Sequence, residues 1–186
     1  MEKLIIITGT PGTGKSTLAK YLGEKTGAEV VGANEIAKSY GYVIGKDGYG
    51  TSLIDMKKLE KRINQIAKEQ SRKKIPLIIE GHLLSGIKVG SAVVIVMREH
   101  LPTLIKRLEK RGYPFGKIRD NIISEALNLC GSDSRKRYRR VYEVLCGKSS
   151  NAEAMRIVRY GKGKDKSIDM MPELLKIIKK DSGFLS

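Results

Sequence analysis

The chain has 186 residues, 40% of them apolar, which is enough to bury the core of one compact domain, and a single domain is expected. Its 36 Lys and Arg against 20 Asp and Glu give a formal net charge of +16, so an attraction to polyanions is predicted, whether nucleotides, RNA or an acidic protein surface. The excess is concentrated late, residues 132–180 holding 14 Lys and Arg against 6 Asp and Glu. No apolar run approaches the length of a membrane span, and residues 4–7 are too few for a signal-peptide core, so a cytoplasmic protein without membrane contact is expected. Cys130 and Cys146 stand in no metal-ligand spacing and read as two reduced, partly buried thiols.

In chain order, residues 3–8 (KLIIIT) form a near-continuous β-branched run suited to a fully buried parallel strand. A glycine-rich loop, residues 9–14, leads into a helix over 15–25 that Gly27 stops. Residues 28–32 read as a second strand, and Asn34 as the cap of a short helix over 35–39. The glycine-rich stretch 40–52 has no clear period and predicts a mobile loop. Asp55 opens an amphipathic helix to about residue 73, with Leu59, Ile63 and Ile66 inward. Strands follow at 76–80 and 92–97, then a helix from Pro102 to about Arg111. Helices over 118–129 and 133–140, a fifth strand over 141–145, a helix over 151–158, a Gly/Lys linker over 161–166 and a last helix over 172–180 complete the chain. Strands alternating with helices imply an α/β fold with a five-stranded parallel sheet covered on both faces.

The segment GTPGTGKST satisfies GxxxxGK[ST] through Gly9, Gly14, Lys15 and Ser16, with the required strand before it and helix after it. The segment reads as a P-loop, and ATP binding is expected of it. Glycines at 9, 12 and 14 let backbone N–H groups curl around a phosphate, and the start of the following helix adds its positive dipole end. Lys15 is placed to bridge β- and γ-phosphates, Ser16 to ligate Mg²⁺, and Thr17 to contact the α-phosphate.

Glu80 and His82 lie at the carboxyl end of the third strand, the rim where open α/β sheets bind ligands; Glu80 is a candidate to orient Mg²⁺ waters and His82 to hydrogen-bond a phosphate or water. His100, at a helix entry, has no role in this reading. Arg98 follows the fourth strand at the same rim, while Arg107 precedes, and Arg111 and Arg119 lie within, RGYPFGKIRDN, a short segment between helices that suits a lid closing arginines on a transferring phosphoryl group. The cluster Arg135, Lys136, Arg137, Arg139 and Arg140 reads as exposed helix charge, with an RNA-facing patch as the alternative.

GTPGTGKST, the strand-end IIEGH and RLEKRGYPFGKIRDNIISE together resemble the adenylate kinase superfamily, and within it the small archaeal and eukaryotic group that includes the coilin-interacting nuclear ATPase protein. The resemblance spans about residues 3–145. It implies a P-loop kinase with an NMP-binding segment near 31–55 and a lid near 110–120, converting ATP and AMP to two ADP with Mg²⁺. By position, Gly12, Gly14, Lys15, Ser16 and Thr17 would hold ATP with Arg111 at its phosphates. Asn34, Lys38, Asp55 and Arg98 are the acceptor-site candidates, and residues 147–153 the first choice for contact with adenine. The 31–55 segment contains no arginine, so Lys38 is the expected cation for the monophosphate. The group also carries ATPase activity and engages a ribosomal protein of the small subunit. Two alternatives therefore stand beside the AMP kinase: an ATP-gated ribosome-assembly ATPase acting on a ribosomal protein or RNA, and a P-loop kinase for another small acceptor.

Overall fold

The computed structural model of the protein describes residues 1–164 and 166–185; Asp165, within the predicted 161–166 linker, and Ser186 lie outside the described residues. Strands β1 (Leu4–Thr8), β2 (Glu29–Gly32), β5 (Leu77–Glu80), β6 (Val93–Arg98) and β7 (Val141–Leu145) make one sheet in the order β2-β5-β1-β6-β7, and every adjacent pair is parallel. β1 is central, and its successive residues point to opposite faces that are both covered. Ile6 packs with Leu77, Ile79, Val94 and Val96 on one face. Ile5 and Ile7 pack with Ile78, Val93, Ile95 and Met97 on the other. That two-sided burial is why β1 and β6 are unbroken apolar runs rather than alternating ones.

Helices α2 (Ala33–Ser39) and α3 (Met56–Lys73) cover the first face, Leu59 and Ile63 being the inward side of an α3 whose other side is lysine-rich. Helices α1 (Lys15–Thr26) and α7 (Ser150–Tyr160) cover the second with Leu18, Leu22, Ile157 and Val158. Beyond β6, helices α4 (Leu101–Lys110), α5 (Phe115–Ala126) and α8 (Met171–Lys180) share a third cluster built on Leu104, Leu108, Ile122 and Leu174. The N-terminus of α4 has no cap of its own. Glu173 of α8 supplies it: one carboxylate oxygen accepts from Leu101 N at 2.8 Å and the other stands 2.5 Å from His100 Nδ1. Among the described residues no helix is long and apolar enough to cross a membrane.

Four expectations are corrected. Residues 40–52 are not a structureless loop: β3 (Val43–Lys46) and β4 (Ser52–Ile54) pair antiparallel around Asp47-Gly48, with Asp47 Oδ1 accepting from Tyr49 N and Thr51 N at 2.8 Å each. The break between the two helices after Pro114 falls at Asn128, not at 130–132. Asn128 adopts the left-handed conformation at φ 53° and caps α6 (Leu129–Arg137) by accepting from Gly131 N, and the chain is already extended at Tyr138. Asn34 is not a cap, because α2 begins at Ala33 after Gly32.

The fourth correction concerns Arg98, expected to face an acceptor. Its side chain is 1% exposed and lies inside the protein. Nε donates to Glu125 Oε1 at 2.9 Å and Nη1 to Glu143 Oε2 at 2.6 Å, while Nη2 and Nη1 reach the carbonyls of Glu125 and Ile168. Glu143 also accepts from Arg135, Asn128, Ser167 and Ile168 N. Burial alone would raise the Glu143 pKa; the Ile168 N–H, Arg135, Asn128 and Arg98 overcome that and hold its carboxyl below the ordinary value. Removing the cation strands two buried carboxylates, so Arg98→Met is expected to cost about 3–5 kcal/mol in urea unfolding, whereas Glu2→Ala, breaking the half-exposed pair with Arg140, costs less than about 1 kcal/mol.

Candidate active site

The phosphate-binding loop leaves β1 with Gly9 at φ 135° and passes Gly12 at φ 95° before α1 begins. A Cβ on Gly9 would stand 2.3 Å from Met97 O and one on Gly12 2.7 Å from Leu104 Cδ1, so both conformation and space require glycine. Lys15, the first residue of α1, is 8% exposed, and its Nζ donates to Thr10 O at 2.9 Å. Burial lowers its pKa to about 8, against the opposing influence of Cys130, Glu80 and Glu125. Ser16 and Thr17 are exposed and face the same space.

That space is a cleft of about 610 Å³ lined by the loop, the carboxyl end of β5, the β3–β4 hairpin and α5. The rim placement of Glu80 and His82 is as expected from the strand end. Gly81 N bonds back to Ile7 O at 3.0 Å and Thr8 Oγ1 donates to His82 O at 3.4 Å, seating the start of a 3-10 turn, His82–Gly86, beside β1. Burial, with the Lys15 and Lys117 cations nearby, lowers the His82 pKa to about 4, so its imidazole is neutral near pH 7.

Within the 110–120 segment expected to act as a lid, α4 runs to Lys110 and α5 starts at Phe115, so residues 111–114 alone lie between the two helices. Arg111 caps α4, is exposed and lines the cleft. Arg107 does something else: its Nη1 donates to Gly12 O at 2.9 Å and stands 2.7 Å from Glu99 Oε2, strapping the phosphate loop from outside. Arg119 lies 3.8 Å from Asp120. Asn34 lines the cleft, but Lys38 is exposed on α2 outside it. Asp55 is the N-cap of α3, accepting from Lys58 N at 3.0 Å, and does not line the cleft either.

Sequence reasoning passed over the far wall. Tyr49 Oη donates to Asp120 Oδ2 at 2.9 Å and Lys117 Nζ to Thr51 Oγ1 at 2.6 Å, so the hairpin tip is joined to α5 across the cleft, with Lys117 also 4.2 Å from the Tyr113 ring centre. An Asp-Gly pair between two short apolar runs was the available sign of this hairpin. Lys117 itself lies within the quoted RGYPFGKIRDN segment. Cys130 also lines the cleft, and burial raises its thiol pKa; Cys146 packs against Arg107, and both cysteines are free.

Ser16 and Glu80 together offer a hydroxyl and a carboxylate beside the phosphate loop, a hard oxygen pair that fits a magnesium ion keeping most of its water and phosphate ligands.

Residues 5–128 match the family model described as AAA domain. Proteins named "Putative adenylate kinase" from Methanothermobacter thermautotrophicus and Methanocaldococcus jannaschii are 39% and 38% identical, covering 76% and 75% of this chain and 78% and 75% of their own. Among solved structures, a sugar kinase from Janibacter superposes with a TM-score of 0.60 at 13% identity, covering 86% of this chain and 95% of that one. Shikimate kinase from Acinetobacter baumannii gives 0.55 at 14%, covering 88% and 97%. Those two establish the shared P-loop kinase fold, and with the sequence matches they identify the chain as belonging to the adenylate kinase-like P-loop NTPase family.

Proposed function

We propose that the protein is a Mg²⁺-dependent nucleoside monophosphate kinase that passes the γ-phosphoryl group of ATP to AMP, yielding two ADP. The observation that carries this reading is the continuity of the cleft. It runs without a break from the P-loop residues Gly14, Lys15, Ser16 and Thr17 past Glu80 and His82 to Asn34, Tyr49 and Lys117. In the reaction a phosphate oxygen of AMP bonds to the γ-phosphorus as the bond to the β,γ-bridging oxygen breaks, with no covalent enzyme intermediate. Positioning and charge stabilisation are then the protein's whole task.

Lys15 neutralises the β- and γ-oxygens, and Arg111, exposed at the lid turn, closes on the equatorial oxygens. Ser16 and Glu80 would hold Mg²⁺, which when bound offsets phosphate charge. His82, neutral at working pH, serves as a hydrogen-bonding group rather than a cation. With Lys38 outside the cleft, Lys117 takes over as the cation for the acceptor phosphate, supported by Asn34. The end of β7 lies against the loop, where a Cβ on Gly14 would be 3.4 Å from Cys146 Sγ, which favours residues 147–153 as the adenine contact.

A second reading is ATP hydrolysis coupled to a ribosomal protein of the small subunit or to RNA met by the basic C-terminal third. It is favoured by the lack of arginine in 31–55, which leaves the acceptor to a lysine point charge. One assay separates the two: ADP formation measured with AMP, CMP, UMP, GMP, dAMP and no acceptor. Stimulation greatest with AMP is expected, and equal rates with and without every monophosphate would reject the kinase in favour of hydrolysis. In the same assay Lys15→Ala and Arg111→Ala should each lower kcat by about 10²–10³-fold.

Because the ammonium of Lys15 binds the phosphates and loses its proton near pH 8, ATP affinity measured by calorimetry should weaken as pH rises through that value, by up to about tenfold per unit. His82 predicts the opposite limb. Unfolded, it takes up a proton below its ordinary 6.5, while the folded protein resists until about 4, so acidification across that window favours unfolding. His82→Gln should flatten the loss of stability between those pH values by up to about 3 kcal/mol, read from urea unfolding at each pH.

A further inference from the structure

The ammonium of Lys15 is placed by one peptide carbonyl. Thr10 O accepts from Lys15 Nζ at 2.9 Å, from Thr13 Oγ1 at 2.9 Å and from Thr13 N at 3.3 Å, so the orientation of the Thr10 peptide decides where the ammonium stands. Thr10 is itself held from behind. Its hydroxyl donates to Glu125 Oε2 at 2.6 Å, in a contact that is wholly buried. Glu125 comes from α5, more than a hundred residues along the chain, and is 2% exposed. Its other oxygen is fixed by Arg98 Nε at 2.9 Å and by Glu99 N at 3.1 Å, and Arg98 Nη2 grips its carbonyl at 2.7 Å. The carboxylate therefore cannot turn away from Thr10 without breaking a buried ion pair.

We propose that Glu125 is a positioning residue for phosphoryl transfer: locked by Arg98, it fixes Thr10 through the threonine hydroxyl, and the Thr10 carbonyl in turn sets the Lys15 ammonium toward the phosphates. This rests on the reading of Lys15 as the group that meets ATP. A hydrogen bond to an ionised carboxylate is stronger and more directional than one to a neutral acceptor, which is why an acid rather than an amide suits this position. On the other side of the loop Arg107 grips Gly12 O, so the loop is tethered at both ends to the α4–α5 pair.

The test uses Thr10→Val, which keeps shape and removes the hydroxyl, Thr10→Ser, which restores it, and Glu125→Gln, which keeps shape and removes the charge. Folding is checked by thermal melting, and kcat, the KM for each substrate and ATP affinity without acceptor are measured separately. Thr10→Val is expected to melt near wild type, to lose about tenfold in ATP affinity and up to about 10²-fold in kcat, with the KM for AMP unchanged. Thr10→Ser should stay within about threefold of wild type. Glu125→Gln, whose neutral amide holds the Thr10 hydroxyl less firmly, should lose ATP affinity and kcat in the same direction. Wild-type kcat and ATP affinity in Thr10→Val would overturn the proposal, as would a Thr10→Ser variant no better than Thr10→Val. Should Glu125→Gln fail to fold, the threonine pair still decides. Should the wild-type protein show no acceptor-dependent turnover, the kinase reading fails by itself, and ATP affinity in the same pair still decides the positioning role.

Discussion

A guanidinium buried to 1% exposure at the end of β6 is expensive to place there, and the protein meets that cost with two full carboxylates and two carbonyls drawn from separate parts of the chain. Arg98 thereby joins the sheet to α5 through Glu125, to β7 through Glu143 and to the segment before α8 through Ile168. Arginine suits this as lysine would not, since its planar fork can serve several acceptors at fixed angles. The phosphate loop inherits the result. Its first residues lie between that charged core and α1, so the rigidity of the anion site derives as much from ion pairs behind it as from its glycines.

The sheet explains where the cleft lies. All five strands run in parallel, so their carboxyl ends meet on one edge, and β1 and β5 deliver the P-loop and the Glu80-Gly81-His82 turn side by side. The opposite wall comes from outside the sheet, as a two-stranded hairpin pinned to α5 by Tyr49 and Lys117. A phosphate-loop end made of backbone and helix dipole thus faces a far end made of side chains.

What the sequence disclosed follows the same division. β1 was legible because burial on both faces leaves no choice but a run of β-branched residues, and the P-loop because a phosphate demands glycine at fixed spacing. The hairpin was hidden because glycines at 45, 48 and 50 erase the alternation that marks a strand, leaving only Asp47-Gly48 as a clue. Arg98 was misread for a different reason. A strand-end arginine faces solvent unless acids cover it, and its acids arrive from positions 125 and 143, a pairing that no local pattern encodes. Nothing local in the sequence says which way Lys38 and Asp55 face. One proved to be an outward helix lysine and the other a helix cap, while Lys117, inside a segment already singled out, carries the cation to the cleft.

The attachment of α8 to α4 limits how much of the chain between α4 and α5 is free of packing. With Glu173 capping the start of α4, and Met170, Leu174 and Phe184 packed into the α4–α5 cluster, both helices are held by the α8 end of the chain. Only residues 111–114 lie between them, with Gly112 at φ 69° as the turn. Any displacement confined to those four residues would leave the α4–α5–α8 packing in place, so it would register in local probes of Arg111 and Tyr113 rather than in the radius of gyration.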